Sequence, residues 1–345
     1  MPPASPVPGC SSGEVCTLIM ATRFGWTDIG IPSSCKTCSV FRLLVLTTTH
    51  LPAEVFRREP PCSPVVAEYL EPGRSAYPAR VPSRQRPVGT VTRGTTNPNR
   101  LRRCDRWIAG PQAWRLRRSV QPPVVVDLGY GASPITAVEL HDRLRAVRED
   151  VQVVGIEIEP ARVAAARPLE RDGLSFRLGG FEVPLDGGVR PTVVRAFNVL
   201  RQYAEDEVAG AWSLVQERLA PDGLLVDGTC DEIGRRAAWV AVDASGPVSL
   251  TVSLRMGGLE RPSAVAERLP KALIHRNVPG EPVHAFLTDL DRAWARSAPR
   301  SSWGARQRFL STVAEVRERW PLLDGPSRWR LGELTVDWAA VAPTA

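Results

Sequence analysis

Lysine is nearly absent from this chain, which limits what its basic charge can mean. Of the 44 lysine and arginine residues among 345, only Lys36 and Lys271 are lysines. This bias is typical of GC-rich coding, so the choice of arginine at any single position carries no weight. Long apolar runs are missing as well. The nearest candidate, residues 40–51, is interrupted by Arg42 and falls short of the roughly 18 apolar residues that a membrane span needs.

The N-terminal region lacks the patterns of a folded or targeted segment. No basic stretch precedes its first apolar patch, as a secretory signal would require, so we expect a cytoplasmic protein without a membrane partner. Cys35 and Cys38 have the spacing of metal ligands, but no second pair with this spacing exists, and a zinc site needs four ligands. We expect no metal, and we expect residues 1–83 to be disordered or upstream of the true start.

The most informative motif begins at residue 124. Three valines lead to Asp127, and Gly129 and Gly131 form the loop that follows. Ser133 and Pro134 then predict a helix start, with the serine as N-cap and the proline at the first helical position. A strand, a glycine loop and a helix in this order allow a cofactor to approach free backbone N–H groups.

A second apolar run, residues 151–157, ends at Glu157. Its composition is typical of a buried parallel strand. An acid here can accept hydrogen bonds from both ribose hydroxyls of a nucleoside above the glycine loop; the alternative is that it merely ends the strand. Pro134 stands where a dinucleotide site has its third glycine. This argues against NAD and for S-adenosylmethionine (SAM), whose amino group Asp127 is placed to meet.

With these motifs the chain resembles the class I SAM-dependent methyltransferases over residues 122–256. Further matches are a third strand with its loop at 172–182 and a fourth strand at 193–200. A Pro-Asp-Gly turn at 221–223 precedes a fifth strand, and a closing hairpin follows at 237–254. The resemblance implies a Rossmann-like, doubly wound α/β fold. Its mostly parallel, seven-stranded sheet would end in an antiparallel hairpin. Alternation of strand-like and helical runs predicts a parallel sheet independently.

The resemblance also implies SAM as the cofactor. The residues expected to bind it are Asp127, Gly129, Tyr130, Gly131, Glu157, Ile158, Phe181 and Asn198. The family usually has an acid directly after the glycine of the third loop. Here Gly180 and Phe181 precede Glu182, so the adenine contact departs from the family pattern.

Two segments flank this core. Ten arginines and a single aspartate lie between Arg84 and Arg118, whereas the whole chain carries a net charge of only +7. We expect this basic arm, residues 84–121, to pack on the core with its arginines outward. It would bind an anionic substrate such as RNA or a phosphorylated small molecule; the alternative is a solvated helix face. The candidate substrate-binding residues are Arg93, Arg100 and Arg103. Residues 257–345 predict a mainly helical C-terminal cap over the cofactor cleft.

Methyl transfer mainly requires alignment of the acceptor and exclusion of water, so the sequence does not name the acceptor. Asn198 and His275 are the candidate catalytic residues, and His284 is a further candidate base. We predict a SAM-dependent methyltransferase that acts on an oxygen or nitrogen of a small molecule or RNA. The alternative is a catalytically silent protein of the same fold that binds nucleic acid through the basic arm. The oligomeric state stays open.

Overall fold

An eight-stranded sheet organises residues 86–344, the part of the chain that the computed structural model describes. The spatial order of its strands is β3-β2-β1-β4-β5-β6-β7-β8. The strands are β1 (Val124–Leu128), β2 (Gln152–Glu157), β3 (Leu174–Leu178), β4 (Val193–Phe197), β5 (Leu224–Cys230), β6 (Arg236–Asp243), β7 (Gly246–Leu254) and β8 (Glu333–Asp337).

The first five strands are parallel, and the last three are antiparallel to their neighbours. This confirms the Rossmann-like sheet and its antiparallel hairpin, β6–β7. The predicted number of seven strands is one too low, because β8 from the C-terminal segment pairs with β7. A strand distant in sequence joins the edge because the free backbone groups of β7 need partners.

Helices connect the strands and cover both faces of the sheet. They are α1 (Arg102–Ala109), α2 (Ala113–Arg118), α3 (Ile135–Arg145), α4 (Pro160–Ala166), α5 (Glu207–Gln216), α6 (Lys271–Ile274), α7 (Pro282–Arg296), α8 (Ala305–Val316) and α9 (Pro326–Trp329). The predicted cap on α3 is wrong: Pro134, not Ser133, is the N-cap, and no side chain caps this helix. The helix begins one residue later than expected, which leaves the serine outside its first turn.

Alternate residues of the strands divide the core into two layers. Val125 of β1 faces a cluster that contains Trp107 of α1 and Leu140 of α3. Val126 faces the opposite cluster, which is built from α5 and the C-terminal helices. Because helices cover both faces, the central strands are mostly apolar on both faces rather than alternating.

The C-terminal segment is mainly helical, as predicted, but it lies along one face of the sheet. Phe286 of α7 and Phe309 of α8 are fully buried in the same cluster as Val240 and Leu250 of the sheet. The short 3₁₀ helix Pro262–Arg268 reaches the carboxyl ends of the parallel strands, where Arg268 lines the cleft. The segment therefore forms a layer of the core and contributes Arg268 to the lining of the cleft.

Two expectations concern features outside these layers. The predicted N-terminal extension, residues 1–83, lies outside the described residues. Within 86–344, no helix combines the length and the apolar character that crossing a membrane requires.

A buried carboxyl group on β5 makes the stability of this core sensitive to pH. Asp227 is 1 % exposed, and its partner is the Trp212 indole N–H, 3.1 Å from Oδ2. Burial raises the pKa of Asp227 to about 7, against the opposing effect of the Trp212 hydrogen bond. The folded state therefore holds a proton that the unfolded state releases above pH ~4. Folding stability contributed by this group falls as the pH rises from about 4 to 7.

We expect Asp227→Asn to be more stable than the parent chain by about 1–3 kcal/mol at pH 8. The amide keeps an acceptor for Trp212 and removes the ionisation. Urea unfolding at pH 5 and pH 8 measures the effect, and Asp222→Asn on the exposed turn before β5 serves as control. Equal stabilities of parent and Asp227→Asn at pH 8 would contradict the assignment.

Candidate functional site

A cavity of about 390 Å³ lies at the carboxyl ends of β1, β4 and β5. The chain order of the sheet reverses between β1 and β4, and ligands of open α/β sheets bind at such a reversal. Five of the predicted cofactor residues line this cavity: Asp127, Gly129, Tyr130, Gly131 and Asn198.

A much smaller space, of about 20 Å³, adjoins the cavity on the side of β2. The other three predicted cofactor residues, Glu157, Ile158 and Phe181, line it. Both spaces share Gly129 and Thr92. The structure therefore brings all eight residues to one crevice, which consists of these two adjoining spaces.

The glycine loop at this crevice depends on backbone conformations that favour glycine. Gly129 and Gly131 have φ angles of 71° and 84°, in the left-handed region that other residues rarely adopt. Glu157 Oε2 accepts a 2.8 Å hydrogen bond from the Gly131 N–H, and Oε1 accepts one of 3.0 Å from Ile158. The acid at the end of β2 thus ties the two motifs together.

Asp127 is engaged inside the protein rather than free toward the cavity. It is 2 % exposed. Its Oδ2 accepts a 2.8 Å hydrogen bond from the Thr136 hydroxyl, and Arg195 of β4 binds both of its oxygens at 2.8–3.0 Å. A carboxylate has about four acceptor positions, so little capacity is left for a cofactor amino group.

Arg195 is the centre of a buried charge network. It is fully buried and also forms an ion pair with Asp105 of α1, which in turn pairs with Arg143 of α3 at 2.5 Å. Burial alone would lower the pKa of Arg195, but Asp127 and Asp105 outweigh it and raise the pKa above its ordinary value. The sequence offered one signal for this network: Arg195 is the charged residue in an otherwise apolar strand.

The start of the basic arm crosses the crevice as an extended strap, residues 88–94. Alternate residues bind the tips of successive strands and loops. Val88 accepts from Phe181 N–H at 2.9 Å, and Thr90 N–H donates to the Tyr203 hydroxyl at 2.6 Å. Further along, the Thr92 carbonyl accepts from Arg162 at 2.8 Å and the Gly94 carbonyl from Ala132 N–H at 2.9 Å.

Glu182, the acid displaced from the family position, fastens the beginning of this strap. Its two oxygens accept hydrogen bonds from the N–H groups of Val88 and Gly180, at 2.8 and 2.9 Å. A Cβ atom at Gly180 would overlap the Val88 carbonyl. The strap therefore fills the part of the crevice between Phe181 and Gly129, which explains why so little space remains there.

Asn198 lies at the tip of β4 and is tied to β5. Its φ angle is 59°, a left-handed conformation that asparagine tolerates better than most residues. The side-chain oxygen accepts a 3.1 Å hydrogen bond from Cys230 N–H. Asn198 lines the cavity, but its amide oxygen serves the β4–β5 junction.

Several other predicted site residues lie elsewhere. His275 is exposed and contacts Lys271 at 3.0 Å, and neither His275 nor His284 lines the cavity. Arg103 was expected to point outward, which is wrong: it is 7 % exposed and donates to Gly234, Ser253 and Leu331. Packing of α1 against the sheet buries it. Arg93 and Arg100 do line the cavity.

Three groups of residues at this site were not predicted from the sequence. Arg195 holds Asp127, and the strap closes the crevice. Arg201, after β4, and Arg268, from the 3₁₀ helix, add two guanidinium groups to the cavity. In so arginine-rich a sequence, Arg201 and Arg268 do not stand out from the other arginines. Within residues 86–344, no cluster of His, Cys, Asp and Glu has the arrangement of a metal site.

The strand order and the glycine loop define the fold class. The described unit has a Rossmann-like α/β fold with a mostly parallel sheet. No protein-family model and no curated protein matches the chain.

Solved structures show partial, low-identity similarity. The CMeT domain of the citrinin polyketide synthase is 18 % identical and the match covers 33 % of this chain and 31 % of that one, with a TM-score of 0.28. The plantazolicin methyltransferase BpumL, solved with a desmethylPZN analogue and SAH, is 10 % identical with coverages of 37 % and 47 % and a TM-score of 0.29. The CcbJ methyltransferase from Streptomyces caelestis is 19 % identical with coverages of 42 % and 64 % and a TM-score of 0.27. The chain therefore spans less than two thirds of each of these structures.

We expect Arg195→Met to destabilise the fold by about 3–5 kcal/mol, because it leaves Asp105 and Asp127 buried without their shared partner. Arg177→Met is the matched control, since Arg177 forms an ion pair with the exposed Asp186 and such pairs contribute only about 0–1 kcal/mol. Chemical unfolding of both variants measures the difference. A loss of stability no larger than that of the control would show that the buried network is not needed for folding.

Proposed function

We propose that this protein transfers a methyl group from SAM to a small-molecule acceptor. The observation that carries the proposal is the crevice of two adjoining spaces at the β1–β4 reversal. Its nucleoside end has an acid on β2, and its wide end opens beside β4 and β5. SAM has this elongated shape. Its ribose hydroxyls would meet Glu157 at the narrow end, and its charged amino-acid part would lie in the wide end.

The residues fit SAM, provided that the strap moves. Glu157 Oε2 has a second acceptor position besides the one used by Gly131, and Glu157 lines the narrow space. That space of about 20 Å³ holds roughly one water molecule, which is far too little for an adenine ring. Because the strap residues Val88, Gly89 and Thr90 form its outer wall, their displacement would open the nucleoside end.

SAM supplies a methyl group already activated by its sulfonium, so the chain's main tasks are binding, orientation and exclusion of water. Glu157 would bind the ribose, and the glycine loop would provide backbone contact. The Arg195 network would keep Asp127 and the β1 tip in place. No base is assigned, since neither candidate histidine reaches the cavity.

The structure offers no support for the alternative of nucleic-acid binding through the arm. Some of its arginines are engaged within the protein: Arg102, Arg103 and Arg115 donate to backbone carbonyl groups. The cavity volume instead lies within the range of about 300–1,000 Å³ found for small-molecule sites.

Calorimetry with S-adenosylhomocysteine (SAH) tests the proposal. We expect the parent chain to bind SAH and Glu157→Ala to bind it about 10- to 100-fold more weakly, because a charge-assisted hydrogen bond to the ribose is lost. Glu149→Ala, an exposed carboxylate far from the crevice, is the control. Failure of the parent chain to bind SAH would end the proposal.

The strap should leave the crevice when the nucleoside end is filled. We expect hydrogen exchange at the Val88 and Thr90 amides to become faster with saturating SAH, because their bonds to Glu182 and Tyr203 are lost. Amides of the buried strand β1 provide the internal control. Gly180→Ala should show the same fast exchange without SAH, since its methyl group would displace the Val88 carbonyl. Slower exchange of the strap on SAH addition would mean that it closes over the ligand instead.

A further inference from the structure

Four arginines from three separate parts of the chain line the main cavity. Arg93 and Arg100 belong to the basic arm, Arg201 follows β4, and Arg268 ends the 3₁₀ helix Pro262–Arg268. Chain segments so far apart in sequence have thus placed like charges at one site, where they repel one another.

Carboxylates do not balance this charge. None of the four arginines forms an ion pair with another residue in the described range. The acidic lining residues are Glu232 and Asp127, and Asp127 is already neutralised by Arg195. The cavity therefore has a clear excess of positive charge.

Arg201 and Arg268 make few side-chain hydrogen bonds within the described residues. The side chain of Arg201 donates to one backbone carbonyl, that of Glu267, at 2.9 Å. The Arg268 Nε is shielded from solvent and has no acceptor among the described residues. Burial, and then the nearby Arg268, lowers the pKa of Arg201, as expected for two guanidinium groups that lie close together.

The position of this pair separates it from the nucleoside end. Arg268 is joined to β5 through its carbonyl, which accepts a hydrogen bond from Thr229. Arg201 lies just after β4. Glu157 and the glycine loop lie on the β1–β2 side, and the narrow space there has no arginine in its lining. A cofactor held along β1 and β2 leaves the β4–β5 side for the methyl acceptor.

We propose that Arg201 and Arg268 form the subsite that binds the carboxylate or phosphate group of a small methyl acceptor, an inference that rests on the proposed function. Planar guanidinium groups match the geometry of both oxyanions and form strong, charge-assisted hydrogen bonds with them. An oxyanion here would offset the repulsion between the two side chains.

Titration of inorganic phosphate, and in parallel acetate, into the SAH-saturated protein tests this subsite. The probe that binds more tightly, phosphate or acetate, identifies the class of oxyanion. We expect Arg201→Gln and Arg268→Gln each to weaken binding of that probe by at least about tenfold, with SAH affinity unchanged. Arg268→Lys, which keeps the charge, should retain part of the affinity. The matched control is Arg235→Gln, an exposed arginine at the same end of the sheet that does not line the main cavity.

Three results would overturn the proposal. The first is that neither probe binds the parent chain. The second is that both glutamine variants bind the probe as well as the parent chain does. The third is that the probe competes with SAH. The last result would assign the arginines to the carboxylate of the cofactor. If the parent chain does not bind SAH, the proposed function fails by itself, and titration of the free protein still tests whether Arg201 and Arg268 bind an oxyanion.

Discussion

The ion pair between Arg195 and Asp127 is the interaction on which the site depends. It joins β1 to β4 at the point where the strand order reverses, directly below the glycine loop. Asp105 extends the network to α1 and so fixes the arm against the same strands. Both charges are buried, and buried charges are tolerated only when paired and hydrogen-bonded. The geometry of the crevice is therefore coupled to correct docking of the arm.

The arm has two distinct parts with different roles. Its helices α1 and α2 belong to the core, where Trp107 packs against Trp239 of the sheet. Its first residues form the strap, which is held mostly by hydrogen bonds and keeps Val88 exposed. Few apolar contacts mean a low cost of local opening. The helices α1 and α2 thus anchor the arm to the core, while the strap can open locally.

Local patterns predicted the elements of the core well because each depends on nearby residues. The periodic run after Pro134 formed α3, and the apolar runs ending at Asp127 and Glu157 became β1 and β2. The eight proposed cofactor residues converge because parallel strands end at one edge. The predicted outward orientation of Arg103 failed, since the hydrophobic pattern of α1 did not indicate that the packed helix would bury an arginine against β7.

The sequence by itself determined the fold class and the location of the crevice, because the order of strands, glycine turns and terminal acids follows from short stretches of chain. The tertiary structure alone decided which groups meet there. Arg195 pairs with Asp105, 90 positions away in sequence, and the Val88 N–H donates to Glu182, 94 positions away. Arg201 and Arg268 line the cavity from separate segments. These partners depend on which distant segments pack together and on the free-energy cost of burying an unpaired charge. A local sequence pattern contains neither piece of information.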